Sequence, residues 1–260
     1  MIMITSVSAV ALSKTYGKTT ALNGLSLKIE SGSIYGLIGA NGAGKTTSLA
    51  ILAGLIKPDS GTAWILGKQV QPGCCGLASR VGFSSPQFPL FDYLTGLEVL
   101  STCGLMHGLR VEEVEKRTHD LLELMDLQSA AFQYICHYSQ GMRQKIGLAC
   151  ALIHAPEVLL LDEPFLGLDP ASNYRLICIL EQMAAKGQTI IVSSHNMALV
   201  ERLCSRVGIL HKGVLQREIA VTHTKAPNTA TQSYKDASSQ LAAAFWDVVG
   251  LPEPMELSWI

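Results

Sequence analysis

The densest chemistry in this 260-residue sequence lies in "GANGAGKTT", Gly39 to Thr47. The stretch fits G-x-x-x-x-G-K-[ST] and lies between the apolar run "IYGLIG" and the helix-like "KTTSLAILAGL", the strand–loop–helix context that the pattern requires. Glycines let such a backbone turn so that its N–H groups point inward, and the following helix adds its positive N-terminal end. Gly39, Asn41, Gly42, Ala43, Gly44, Lys45, Thr46 and Thr47 are therefore candidates to cradle a polyphosphate. Lys45 would act as a point charge on the β- and γ-phosphates, and Thr46 would give its hydroxyl to Mg²⁺.

A second candidate is "EVLLLDEP" from Glu157, a continuous apolar run that ends in two acids. A buried strand of this kind brings Asp162 to the C-terminal edge of a sheet, where ligands of open α/β sheets bind and where a carboxylate can hold Mg²⁺, usually through water. Glu163 follows, placed to polarise an attacking water as general base. Two acids after a strand say little alone; beside a phosphate loop they imply hydrolysis of a nucleoside triphosphate.

Elements must carry these groups. Before the loop, Leu25, Leu27 and Ile29 alternate with polar residues, which predicts a half-buried strand within an N-terminal β region. "GTAWILGKQV" predicts a further strand pair. From Gln87 the pattern turns helical: Val111, Val114, Thr118, Leu121, Leu122 and Met125 recur at three- and four-residue spacing, and helical pattern continues to about Ile153. After "EVLLLDEP" come a helix from about Ala171 to Lys186, a buried strand "TIIVSS", a helix "MALVERLC" and a strand pair "RVGILHKGVLQ". Strands alternating with helices imply a parallel sheet with covered faces. "THTKAPNTATQSYKDASSQ" reads as a linker, and "QLAAAFWDVVGL" as one short amphipathic helix.

Composition sets limits. Twenty basic and twenty-one acidic residues leave a net charge of −1, so nothing in the overall charge draws the chain to nucleic acid. Seven scattered cysteines, including the adjacent Cys74 and Cys75, match no metal-site spacing and read as small, mostly buried hydrophobes in a reducing compartment. The apolar N-terminus lacks a basic leader and reads as a strand, and no apolar run approaches the roughly 18 to 20 residues of a membrane span. The chain is thus expected in the cytoplasm, or on a membrane through something else. From Gln240 to Ile260 there is no Lys or Arg, so the terminal helix is expected to dock on its own core or on a dimer mate, not on anionic lipid.

With both motifs in this order, the chain resembles an ATP-binding-cassette (ABC) nucleotide-binding subunit over about residues 4–218. The resemblance implies a RecA-like P-loop NTPase core with an N-terminal antiparallel β region, spanning residues 1–220, and an inserted α-helical subdomain at about 87–155. Residues 221–260 match only loosely, as a linker and helical tail. Tyr16 in "SKTYGKTTAL" matches the aromatic that stacks on adenine. Gln87 matches the glutamine that joins the core to the helical subdomain and senses Mg²⁺ and water, and His195 in "IVSSHNM" the histidine that contacts the γ-phosphate. "HYSQGMRQK" resembles the family signature in the variant form of small exporter-type cassettes; Ser139, Gln140, Gly141 and Met142 are then read by the nucleotide of an opposing subunit, and Asp169 in "GLDP" lies in the loop that crosses to that subunit. Tyr138, Gln140 and Met142 depart from the usual signature, while Ser139 and Gly141 keep the groups that its chemistry uses; Ala40 stands where Pro is common and Phe165 where Thr is common, and neither removes a ligand. Without the resemblance, "HYSQGMRQK" is a helix cap.

A signature that closes another subunit's site implies a homodimer or heterodimer with two sandwiched ATP molecules. The function expected is ATP hydrolysis with Mg²⁺, driving separate transmembrane permease subunits of an exporter from the inner face of the cell membrane. The alternatives are a soluble cassette ATPase acting on nucleic acid, ribosomes or protein assemblies, and a stand-alone P-loop kinase or switch.

Overall fold

The structure, a computed structural model, describes residues 4–73, 75–87, 90–221 and 240–250. In chain order the strands are β1 (Thr5–Tyr16), β2 (Thr19–Glu30), β3 (Ile34–Ile38), β4 (Ser60–Ile65), β5 (Lys68–Gln69), β6 (Val81–Ser84), β7 (Val158–Asp162), β8 (Thr189–Ser194), β9 (Arg206–His211) and β10 (Val214–Ala220). The helices are α1 (Lys45–Leu52), α2 (Cys75–Ala78), α3 (Gly96–Met106), α4 (Val111–Leu124), α5 (Gln140–Leu152), α6 (Pro170–Ala185), α7 (Met197–Leu203) and α8 (Gln240–Val249).

Two sheets result. An antiparallel sheet, ordered β2-β1-β4-β5, carries the N-terminal strands; Leu25, Leu27 and Ile29 are buried in it while Ser26 and Lys28 face out, as their alternation predicts. The larger sheet is ordered β10-β9-β3-β8-β7-β6, parallel throughout except for β10 at one edge. Its central strands are buried on both faces, which is why β3, β7 and β8 read as unbroken apolar runs. Ile34 and Ile38 of β3, Leu159 and Leu161 of β7 and Ile190 and Val192 of β8 join the helical side of the core. Tyr35, Leu37, Val158, Leu160 and Ile191 point the other way, into the layer formed by α1 and the antiparallel sheet.

Between β6 and β7 the chain builds α3, α4 and α5, interrupted by two short 3₁₀ turns that the sequence pattern merged into one helical stretch. Thr95 starts α3 with a capping box, its hydroxyl accepting from the Glu98 N–H while the Glu98 carboxylate accepts from the Thr95 N–H. Helix α4 buries Val114, Thr118 and Leu122 as its periodicity predicts, but Val111, at its first turn, is exposed. Helix α8 buries Leu241, Ala244 and Phe245 against β9, β10 and α7, so the terminal helix docks on its own core.

The cysteine expectation needs correcting. Of the five cysteines described as free, only Cys204 is buried, and Cys136 is exposed in a 3₁₀ turn, where its N–H donates to the Asp92 carbonyl oxygen at 3.1 Å. Cys74, the Cys75 side chain and the linker from residue 222 to 239 lie outside the described residues. Among those described, no helix is long and apolar enough to cross a membrane.

Candidate functional site

The Gly39–Thr47 loop turns at the C-terminal end of β3 and runs into α1. Gly44 caps that helix at φ 107°, and a Cβ there would sit 2.4 Å from the Ala21 carbonyl oxygen. Only glycine meets both conditions. The N–H groups of Lys45, Thr46 and Thr47 fall in the first turn of α1, where no helical acceptor exists, so they are available to an anion. Lys45 is buried, and its Nζ donates to the carbonyls of Gly39 (2.8 Å) and Ala40 (3.3 Å). Burial pulls the Lys45 ammonium below the ordinary lysine range, against the opposing pull of Glu163 and Asp162. Its proton-bearing head is thus satisfied by neutral oxygens that a phosphate can displace.

Asp162 ends β7, almost wholly buried, and takes three hydroxyls: Ser193 on Oδ1 (2.5 Å), Thr46 (2.7 Å) and Ser85 (3.2 Å) on Oδ2. Strand β8 lies between β3 and β7, so its C-terminal end, Ser193 and Ser194, and the following His195 lie beside both the strand that leads into the glycine-rich loop and the strand that ends in the acids. Glu163 adopts φ +47°, unusual for a residue with a Cβ. Its N–H donates to both the carbonyl and the hydroxyl of Ser193, each 3.1 Å away. Its carboxylate lies 2.9 Å from His195 Nδ1 through Oε2 and 3.9 Å from Lys45 Nζ through Oε1.

The Thr46 hydroxyl and the Asp162 carboxylate, 2.7 Å apart, form a hard oxygen pair of the kind that suits Mg²⁺. Gln87 is exposed in the turn that follows β6, and Ser85 of the same segment already reaches Asp162. The loop, Asp162, Glu163 and His195 therefore form one hydrogen-bonded and charged cluster. Tyr16 stands outside it, half exposed at the end of β1, with the Lys14 ammonium 5.6 Å from its ring centroid.

Ser139 is the N-cap of α5, its hydroxyl accepting from the Met142 N–H at 3.2 Å, so the cap exists whatever else the residue does. Asp169 is likewise the N-cap of α6, accepting from Ser172 N–H at 2.9 Å, and Lys145 Nζ lies 3.5 Å from it. Gly141 packs so close to Gly167 that an added Cβ would lie 2.8 Å from the Gly167 carbonyl oxygen. Sequence reasoning missed Ser85, Ser193 and Gln144, all buried. The available signal was a hydroxyl inside the buried run "TIIVSS", because a buried polar group requires a partner.

A family model described as ABC transporter matches residues 22–166. Among curated proteins, the chain is 36% identical over 202 residues to the linearmycin resistance ATP-binding protein LnrL of Bacillus subtilis, covering 78% of this chain and 65% of that protein. It is 38% identical over 203 residues to the Nod factor export ATP-binding protein I of Sinorhizobium fredii, covering 78% of this chain and 59% of that protein. The chain thus spans less than two thirds of the length of these relatives. Among solved structures, a dimeric ATP-binding cassette in a post-hydrolysis state, bound to ADP and Pi, superposes with a TM-score of 0.77 at 26% identity, covering 84% of this chain and 99% of that one.

Proposed function

The chain belongs to the ABC transporter family, and we propose that it is the ATP-binding and ATP-hydrolysing subunit of an exporter-type transporter whose membrane-spanning subunits are separate chains. The observation that carries this reading is the cluster at the sheet edge: Glu163, linked to His195, stands beside a phosphate loop whose lysine is 3.9 Å from the same carboxylate.

Tyr16 stacks on the adenine. The loop N–H groups and Lys45 bind the β- and γ-phosphates and hold the γ-phosphorus in line for attack. Thr46, Gln87 and Asp162 would hold Mg²⁺, which when bound would offset phosphate charge. Glu163 accepts a proton from water as the water oxygen bonds to the γ-phosphorus; the bond from that phosphorus to the β,γ-bridging oxygen breaks, and ADP and phosphate leave. His195 orients Glu163 and contacts the γ-phosphate.

Ser139, Gln140, Gly141 and Met142 serve the nucleotide of a second cassette, with Asp169 in the loop that crosses to it, so ATP closes a dimer and hydrolysis reopens it. The solved relative that is dimeric, with ADP and Pi, supports this arrangement. The curated relatives, a resistance ATP-binding protein and an export ATP-binding protein, support outward transport. The subunit then sits on the inner face of the cell membrane through its permease partners, with no role for nucleic acid.

The test is affinity purification of the chain from detergent-solubilised membranes of its native cell, with and without Mg-ATP. The expected companion is a polytopic membrane protein at near one-to-one stoichiometry. A soluble complex or ribosomes in its place would overturn the transporter reading and leave the ATP site assignments standing.

A further inference from the structure

Glu163 cannot hold its own conformation. A left-handed backbone at a residue with a Cβ persists only where its surroundings impose it. One side of the imposition is Ser193, which accepts the Glu163 N–H. The other acts at the Glu163 carbonyl, which accepts the Leu166 N–H at 3.1 Å and a second hydrogen bond from α5. Gln144 is buried, and its Nε2 donates to the Glu163 carbonyl at 3.4 Å. Gly141, Gln144 and Lys145 share one face of that helix, by their three- and four-residue spacing. Each meets the segment that begins at Glu163: Gly141 at the Gly167 carbonyl, Gln144 at the Glu163 carbonyl, and Lys145 at the Asp169 carboxylate.

We infer that Gln144 is a positioning residue for hydrolysis: from α5, whose N-terminus carries Ser139, it fixes the Glu163 carbonyl and thereby the aim of the Glu163 carboxylate in the same chain. The inference rests on Glu163 being the general base, as proposed above. Its consequence is directional. Whatever engages the N-terminus of α5 also bears on one of the hydrogen bonds that orient the base of this chain's own site, so a nucleotide bound by the partner is felt at Glu163 without crossing the dimer axis through Asp169. Gln144 touches no reacting atom.

The experiment uses the full chain and four variants: Gln144→Met, which keeps length but lacks the donor, Gln144→Glu, Glu163→Gln, and Gln144→Met combined with Glu163→Gln. Loss of one hydrogen bond is expected to lower the steady-state kcat of Gln144→Met by about 3- to 10-fold, with ATP affinity unchanged and only a small fall in thermal midpoint. Gln144→Glu, which turns a carboxylate toward the carbonyl, is expected to lose more, and it stands in if the methionine variant does not fold. In the Glu163→Gln background, Gln144→Met should leave the residual single-turnover rate unchanged, because no base remains to be misplaced. A merely structural role would cost the same factor in both backgrounds, and that result, or full kcat in both Gln144 variants, overturns the inference. Full turnover in Glu163→Gln alone would instead sink the assignment of Glu163 as base.

Discussion

His195 Nδ1 sits 2.9 Å from Glu163 Oε2, although the two residues are separated by 32 positions and belong to the ends of different strands. On the proposed mechanism, in which Glu163 is the base, this contact makes His195 its support. Glu163→Gln should therefore retain ATP binding, lose hydrolysis and accumulate an ATP-bound dimer, read by size-exclusion chromatography with ATP. His195→Ala should lower kcat by about 10²-fold, the cost of misplacing a catalytic group by about 1 Å, with ATP affinity little changed.

Lys45 is a buried cation whose depressed pKa records the cost of keeping it charged away from water. Lys45→Ala should lose ATP affinity by about 10- to 100-fold, the value of a charged hydrogen bond. Folding should not suffer in proportion: the thermal midpoint without nucleotide is expected to stay the same or rise. A calorimetric scan with and without ATP checks both.

Two loop glycines should behave differently. Gly42 has φ 79° with open space where a Cβ would go, so Gly42→Ala meets only a backbone penalty of about 1–2 kcal/mol. Gly44 combines φ 107° with a 2.4 Å approach to a backbone oxygen, so Gly44→Ala must displace the β2 segment as well and should lower the thermal midpoint further. Equal losses would show that the clash relaxes freely.

Substitutions can separate the cap that Ser139 forms from its proposed role at a partner's nucleotide. Ser139→Asp keeps a good N-cap, so thermal stability should hold within about 0.5 kcal/mol, whereas Ser139→Ala should cost about 0.5–2 kcal/mol. The aspartate brings negative charge toward a partner's γ-phosphate, and ATP-driven dimerisation and turnover should fall far more in Ser139→Asp than in Ser139→Ala. The reverse order would leave the residue as a cap alone.

His154, after α5, stacks on His107 from the end of α3 at 3.7 Å between ring centroids, and its Nε2 lies 3.2 Å from the Val81 carbonyl oxygen. Burial, then the neighbouring His107, depress its pKa to about 4. The folded state therefore holds it neutral while the unfolded chain binds a proton below about 6.5, so its contribution is complete above pH 6.5 and is lost as pH falls toward 4. Stability should drop by at most about 3 kcal/mol across that window. Denaturant titrations of the parent and His154→Gln should differ in slope there.

Much of this protein was legible in order along the chain. Buried strands on two faces announce themselves as apolar runs, and β3, β7 and β8 lie where "IYGLIG", "EVLLLDEP" and "TIIVSS" suggested. Local chemistry was legible too, since the glycine-rich turn into a helix before Lys45 is a pattern of contiguous residues, although the close approaches of Gly39 to Leu210 and of Gly44 to Ala21 are not. Less legible were residues whose role depends on distant partners. Cys136 reads as a small hydrophobe until its 3₁₀ turn exposes it, and Gln144 reads as one more polar residue on a helix until it meets a carbonyl 19 positions on.

The sequence by itself determined the glycine-rich loop before α1, the two acids after β7 and the strand–helix alternation, because turn geometry, helix termini and burial periodicity are properties of contiguous residues. Tertiary structure alone decided that β8 lies between β3 and β7. That order delivers Ser193 to Asp162 and His195 to Glu163, and it follows from packing the apolar faces of non-adjacent segments, which no local pattern encodes.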